Sequence, residues 1–349
     1  MRSTNISCNH FLAIAAVFLA SFMIHSNLSL CLAADKPLAA DLVSDGQKIN
    51  LDSRRYQGLF KELRLRYNFN KKELERLFAG VTVKKRVLER MDAQYEALPY
   101  YRYYPIFITE SRIRKGREKL AEHEQLLDKI EKEYGVEKEI IVAIWGIESH
   151  YGDHEGNLQL FRTLNTLFDG YPRRRIFYRK QLISFLLLCR ENNVVPHSVK
   201  GSYGGAFGQP QLIPTSFREY ARDFDGDGKR DVWQSVPDIL ASIANYLHNF
   251  HWVYDAPIYH DIGSELKSKE LKKAYSQGRK GKVSRKQIMT AQGISIPPSP
   301  DQKKLTIIGL EQKNGDRRYL AGYPNFQAIT AWNHSNHYAM AVSELAEKF

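Results

Sequence analysis

Of the carboxylates in this sequence, Glu148 is the one best placed for acid–base chemistry. It lies near the end of EKEIIVAIWGIESHYG, where Ile141, Ile144, Trp145 and Glu148 fall at i, i+3, i+4 and i+7, one face of a helix. That face carries apolar residues bound for a core, so the carboxyl is drawn in with them. Removal from water and the negative end of the helix dipole both raise a carboxyl pKa. A glutamate still protonated near neutral pH is a general acid. A structural glutamate paired with Arg173, Arg174 or Arg175 fits the same spacing.

Two loops add chemistry of other kinds. KGSYGGAFGQPQLIPTSF, residues 200–217, holds four glycines but has neither the Lys-Ser/Thr ending of a phosphate loop nor the GxGxxG order of a dinucleotide fold. Its Ser202, Gln209 and Gln211 suit a polar, uncharged ligand such as a sugar, or simply a loop. DFDGDGKRDVWQ, residues 223–234, places Asp223, Asp225 and Asp227 at positions 1, 3 and 5 of a calcium loop. Gly228 takes the sharp turn, the Lys229 carbonyl position 7 and Asp231 position 9. Position 12 is Gln234 in place of the usual bidentate Glu, and Asp238, four residues on, can fold back to replace it. A solvated acidic turn is the alternative. No HExxH, GxSxG, Walker A or CxxC pair is present, so zinc-protease, serine-hydrolase, nucleotide and dithiol chemistries have no support.

The elements that must position these groups are mostly helical. Asn70 and Glu73 form a capping box ahead of a short helix stopped by Gly80, and the segment before Tyr100 is helical. Further helices are predicted over 111–134, closed by Gly135, and over 137–150, 174–192, 216–222 and 238–250. The 216–222 helix is given a capping box from Ser216 and Glu219. Residues 267–286 then carry nine Lys or Arg against one Glu, a segment read as holding the protein on an anionic polymer. Residues 304–312 and 317–323, around a Lys-Asn-Gly-Asp turn, read as a β-hairpin. An amphipathic helix over 337–349 has no core of its own and is expected to return to the body. The dense aromatic run from Tyr95 to Phe107 suits core packing or stacking on sugar rings.

The chain has 349 residues, 43% of them hydrophobic and 12% aromatic, which excludes wholesale disorder and fits about two domains. A net charge of +12 favours acidic partners. Residues 11–24 are uncharged and apolar, too short for a bilayer span, and Ala33 and Ala34 follow, so residues 1–34 read as a secretory signal peptide. Cleavage there leaves Cys189 as the sole cysteine, a buried hydrophobe outside any disulfide framework. Lipidation at Cys31 would call for a small residue before it, where this chain has Leu30.

IWGIESHYG, YPRR at 171–174, KGSYGGAFGQPQLIP, the DxDGDG loop, IANYL at 243–247 and WNHSNHYAMAV at 332–342 together resemble the lytic murein transglycosylase B family, in order and spacing, across residues 45–349. The resemblance implies a mainly α fold: a lysozyme-like helical core at 111–260 that holds the calcium-type loop at 223–238. An N-terminal helical domain spans 35–110, a small inserted β-containing domain 261–322, and a C-terminal segment, 323–349, returns to the core. It also implies that Glu148 is the single catalytic acid/base and that Ser202, Gln211, Tyr246, Asn333 and Tyr338 line the sugar-binding cleft. Ordinary glycosidases use two carboxylates; with one, the 2-acetamido group of N-acetylmuramic acid is implied to stabilise the glycosyl cation, and the product is a 1,6-anhydro sugar. No catalytic cofactor is implied, only a structural Ca2+ held by Asp223, Asp225, Asp227, Lys229 and Asp238. The expected partners are peptidoglycan glycan strands and other cell-wall enzymes, not nucleic acid. The expected state is a monomer exported to the periplasm, in association with the outer membrane. A hydrolytic muramidase and a non-catalytic calcium-dependent wall-binding protein are the alternatives.

Overall fold

The computed structural model describes residues 38–93 and 98–349. The expected signal peptide with Cys8 and Cys31, and residues 95–97 of the aromatic run, lie outside the described residues. Fifteen α-helices and two small antiparallel sheets form the described chain, so the expected mainly α class holds. No described helix is long and apolar enough to cross a membrane.

The first helices are α1 (Arg54–Tyr67), α2 (Lys71–Phe78) and α3 (Lys85–Asp92). The expected capping box opens α2: Asn70 Oδ1 accepts the Glu73 N–H at 2.8 Å and the Glu73 carboxylate accepts the Asn70 N–H at 3.3 Å. Next come α4 (Tyr100–Phe107), α5 (Glu110–Glu122), α6 (Glu124–Tyr134) and α7 (Lys138–Ser149). They are followed by β1 (Leu158–Gln159), α8 (Leu160–Gly170), α9 (Arg175–Glu191), β2 (Lys200–Gly201), α10 (Pro214–Tyr220) and α11 (Val236–Asn249), with β1 and β2 pairing antiparallel.

Two helix expectations are corrected. The predicted single helix over 111–134 is two, broken at His123, whose φ of −115° leaves the helical range. The halves have different partners, α5 against α7 and α6 chiefly against α11, and the His123 ring turns toward Trp145. The capping box of Ser216 and Glu219 does not form. Pro214 starts α10 two residues earlier, in the first helical turn where its fixed φ and missing N–H cost nothing, and Ser216 is already inside the helix. The free Thr215 N–H is met instead by the buried Gln181 Oε1 of α9 at 3.0 Å.

The 260–322 stretch contains more helix than its composition indicated. After β3 (Tyr259–Gly263) come α12 (Lys269–Ser276) and α13 (Arg285–Gln292), then β4 (Thr306–Glu311) and β5 (Arg317–Gly322), the expected hairpin. Ser268 caps α12, and Ser284 with Gln287 forms a capping box on α13. The basic segment is therefore two amphipathic helices, whose Leu271, Ala274 and Ile288 are buried while Lys272 and Lys273 stay in solvent. The sheet order is β3-β5-β4. Because alternate strand residues face opposite sides, Ile307 and Ala321 join a separate small core with Leu271, Val283 and Ile288, while Ile308, Leu310 and Leu320 join the main one. This two-faced sheet fastens the module to the helical body. The chain then returns through α14 (Pro324–Trp332) and α15 (Asn336–Ala346), which packs on α7.

At the centre lies α7, with nine of its twelve residues buried. The pattern had predicted an apolar stripe; instead α5, α6, α11 and α15 enclose the helix on all sides. Gly146 permits this close packing, since a Cβ there would come within 2.6 Å of the Tyr151 ring, itself packed edge-on against Trp145. Gly146→Ala is therefore expected to cost about 1–3 kcal/mol, seen as a lower urea midpoint at unchanged slope; an unchanged midpoint would mean that Tyr151 moves freely.

Candidate active site

Glu148 sits in the last turn of α7, and its carboxyl is deep among protein atoms while the residue keeps some accessible surface. Two donors converge on Oε1: Trp332 Nε1 at 2.8 Å, from the end of α14, and Tyr338 OH at 2.6 Å, from the first turn of α15. Both partners come from the returning C-terminal segment, about 190 residues away in sequence. Burial raises the pKa of Glu148 to about 7, against the opposing effect of the Tyr338 and Trp332 hydrogen bonds, which favour the ionised form. Burial in turn pushes the Tyr338 hydroxyl well above its ordinary value, with Glu148 adding to the rise, so the tyrosine stays a donor.

The paired-arginine reading of Glu148 is not what the structure shows. Arg174 lies over the Phe177 ring at 4.2 Å, and Arg175 Nη2 donates to the Asp169 carbonyl at 3.4 Å. Among the described residues no cation pairs with Glu148 and no second carboxylate shifts its pKa. The helix end is served separately: Arg112 Nε donates to the Gly146 carbonyl at 3.1 Å, placing a cation against the negative end of α7. His150 and Tyr151, both with left-handed φ, turn the chain away immediately after it.

Tyr246 of α11 belongs to the same group. Its hydroxyl donates to the Ala331 carbonyl at 2.8 Å, and its ring meets Trp332 at 4.6 Å between centroids. Asn333 caps the end of α14, next to Trp332, its N–H donating to the Ile329 carbonyl at 3.4 Å. Ser202 and Gln211 instead share the glycine loop. Ser202 Oγ accepts the Ala206 N–H at 3.1 Å, and Gln211 Nε2 donates to the carbonyls of Gly208 at 2.8 Å and Glu155 at 3.1 Å. Neither side chain hydrogen-bonds to Glu148. The loop is nonetheless anchored to α7: Gln209 Oε1 accepts Trp145 Nε1 at 2.8 Å, and Gln209 Nε2 donates to the Trp233 carbonyl at 2.8 Å. Trp332 was missed as a site residue, although it stands beside Asn333 in WNHSNHY and a buried indole N–H requires an acceptor.

The acidic loop converges in part. Oxygens of Asp223, Asp225 and Asp227 lie within 4.8 Å of one another, and Gly226 and Gly228 take φ of 77° and 85°, the left-handed turn such a loop needs. Asp223 also accepts the N–H groups of Gly226 at 2.8 Å and Gly228 at 2.9 Å, and the Lys229 N–H donates to Asp227 Oδ1 at 2.8 Å. Asp238 is not among the three. Fully buried, it accepts the Phe224 and Asp231 N–H groups, each at 2.7 Å, and so ties the loop's two ends together.

Residues 52–347 match the family described as Transglycosylase SLT domain. The chain belongs to this family. It is 31% identical to membrane-bound lytic murein transglycosylase B of Escherichia coli (strain K12), over 81% of this chain and 79% of that protein. Two solved family structures resemble it closely. The Escherichia coli lytic transglycosylase Slt35 in complex with calcium is 30% identical over 88% of this chain and 96% of that one, with a TM-score of 0.75. SltB3 of Pseudomonas aeruginosa in complex with NAG-NAM-pentapeptide is 32% identical over 84% and 79%, with a TM-score of 0.72.

Since the Tyr338 hydroxyl favours the ionised form of Glu148, Tyr338→Phe is expected to move the Glu148 pKa upward from about 7, by about one unit. In a pH–rate profile the limb belonging to Glu148 shifts to higher pH; an unmoved limb would show that the bond does not tune it.

Proposed function

We infer that this protein is a peptidoglycan lytic transglycosylase, a lyase that cleaves the β-1,4 bond between N-acetylmuramic acid and N-acetylglucosamine without adding water. The observation that carries the mechanism is the lone Glu148 carboxyl, raised to about 7 and held by two neutral donors. At that pKa it gives a proton and takes one back with nearly equal ease. Protonated Glu148 donates to the glycosidic oxygen as the bond to C1 of the muramic acid breaks. The 2-acetamido group of that sugar stabilises the cation in place of a second carboxylate. Ionised Glu148 then removes the proton of the C6 hydroxyl as that oxygen closes on C1, which yields the 1,6-anhydro ring and restores the acid. No cofactor takes part.

Ser202, Gln211, Tyr246, Asn333 and Tyr338 are proposed to line the sugar-binding cleft around Glu148. The division into an N-terminal helical domain at 35–110, a catalytic core at 111–260, an inserted domain at 261–322 and a returning segment at 323–349 belongs to the same proposal. So do export to the periplasm, association with the outer membrane, a monomeric state and recruitment by other cell-wall enzymes; the membrane-bound Escherichia coli relative supports the placement.

Asp223, Asp225, Asp227 and the Lys229 carbonyl are the proposed ligands of a structural calcium ion, in keeping with the calcium complex of Slt35. Three convergent carboxylates with a left-handed glycine turn suit a hard cation. Asp238, whose two oxygens each accept one N–H from the loop's ends, is the remaining proposed ligand, since a carboxylate oxygen that accepts one N–H keeps a lone pair for the ion. Such an ion would brace the loop whose Trp233 carbonyl holds Gln209, and through Gln209 the helix of Glu148.

Glu148→Gln keeps the side chain's size and removes its transferable proton. Turnover is expected to fall by about 10²-fold or more with the fold retained. Wild-type digests of sacculi should contain muropeptides about 18 Da lighter than those of a muramidase, the mass of the water never added; reducing-end muramic acid in the mass spectrum would assign hydrolysis instead. Calcium favouring the native state stabilises it by RT ln(1 + [Ca]/Kd). Melting temperature should therefore rise with millimolar calcium after chelation, and not in Asp225→Ala; no rise in the wild type would remove calcium from the loop.

A further inference from the structure

We propose that Arg279 and Lys282, on the inserted module, form a subsite for the carboxylates of the stem peptides carried by the glycan strand. This inference rests on the lytic transglycosylase reading above and adds the part of the substrate that the module recognises. Like most cations of the 267–286 segment these two are exposed, but both are also tied to α14. Arg279 Nη1 donates to the Thr330 carbonyl at 3.3 Å, and Lys282 Nζ bonds to Gln327 Oε1. Thr330 is two residues before Trp332, whose indole holds Glu148, and Ala331 between them accepts the Tyr246 hydroxyl. A guanidinium is thus connected to the reacting carboxyl through three consecutive residues of one helix end.

The surface between module and α14 forms two adjoining depressions that share Lys282 and Gln327. Arg279, Lys280, Lys303 and Lys304 complete their cationic lining, and among the described residues no carboxylate lines either one. Neighbouring protein atoms lower the pKa of the Lys282 amine even though the residue is exposed, and among the described residues no carboxylate pairs with it. Arg279 spends one of its five N–H donors on Thr330, so the remaining fork is available to a planar anion. Glycan hydroxyls and acetamido groups are neutral and do not call for such a lining. The negative charge on a peptidoglycan strand is carried by carboxylates along its stem peptides, which branch from the muramic acid placed at Glu148.

The test compares two substrates: isolated glycan strands with stem peptides intact, and the same strands after carbodiimide coupling of the peptide carboxylates to methylamine. For wild type, kcat/KM is expected to be about tenfold higher on the free-carboxylate strands. The double variant R279Q/K282Q should lose that preference and match wild type on the amidated strands. K129Q/K132Q, which removes two exposed cations of α6, should keep the preference. Equal loss by R279Q/K282Q on both substrates, full retention of the preference, or its loss in K129Q/K132Q as well would each overturn the subsite. Those outcomes leave the parent reading intact so long as wild type releases anhydro-ended products from either substrate. Reducing ends from both would refute the parent reading itself.

Discussion

The desolvation of one carboxyl group is the constraint on which the rest depends. A glutamate taken from water into a protein interior resists ionisation, and Glu148 is taken there because α7 is wrapped by helices on every side. No local signal within the helix achieves this. The enclosing α15 and the donors Trp332 and Tyr338 arrive only after the chain has built the inserted module and come back. The site is consequently a property of the whole described fold, and the two-faced sheet that fixes the module also fixes where α14 and α15 begin.

Support reaches Glu148 from the opposite direction as well. Trp145, one turn earlier on α7, hands its indole N–H to Gln209, and Gln209 reaches the Trp233 carbonyl at the end of the acidic loop. The Trp233 ring stacks on Phe207 at 5.4 Å, within the glycine loop. Two loops that look independent in sequence therefore meet on one glutamine, and an ion in the acidic loop would act on the active helix through contacts already formed.

How much of this was legible depended on whether the signal was local. The Asn70 capping box, the Gly135 stop and the hairpin turn at Gly315 are decided by residues within a few positions of one another, and the structure reproduces them. Glu148 was legible because helical periodicity alone puts it on a buried face. That periodicity marks the face bound for the core, but the helices that desolvate it and the partners Trp332 and Tyr338 come from elsewhere in the chain. The breaks at His123 and Ile213 escaped for the same reason: the packing of α5 and α6 on different neighbours, and the reach of Gln181 to Thr215, are tertiary events. The helices of the basic segment escaped because charge density masked the spacing of Leu271, Ala274 and Ile288.

The identity of the donors matters more than their number. An arginine against Glu148 would hold the carboxyl ionised and well below neutral pH, a competent base with no proton to give. Burial with no donor at all would carry the pKa further up and leave an acid too reluctant to part with its proton. Two neutral donors on a single oxygen offset part of the desolvation without adding charge, and the balance falls at about 7. A mechanism with two carboxylates can divide acid and base between differently tuned sites. One that uses a single carboxylate for both steps needs a pKa near the middle, and the indole and phenol from the returning chain supply that compromise. On the proposed mechanism the C-terminal segment, which has no core of its own, is therefore part of the chemistry as well as of the packing.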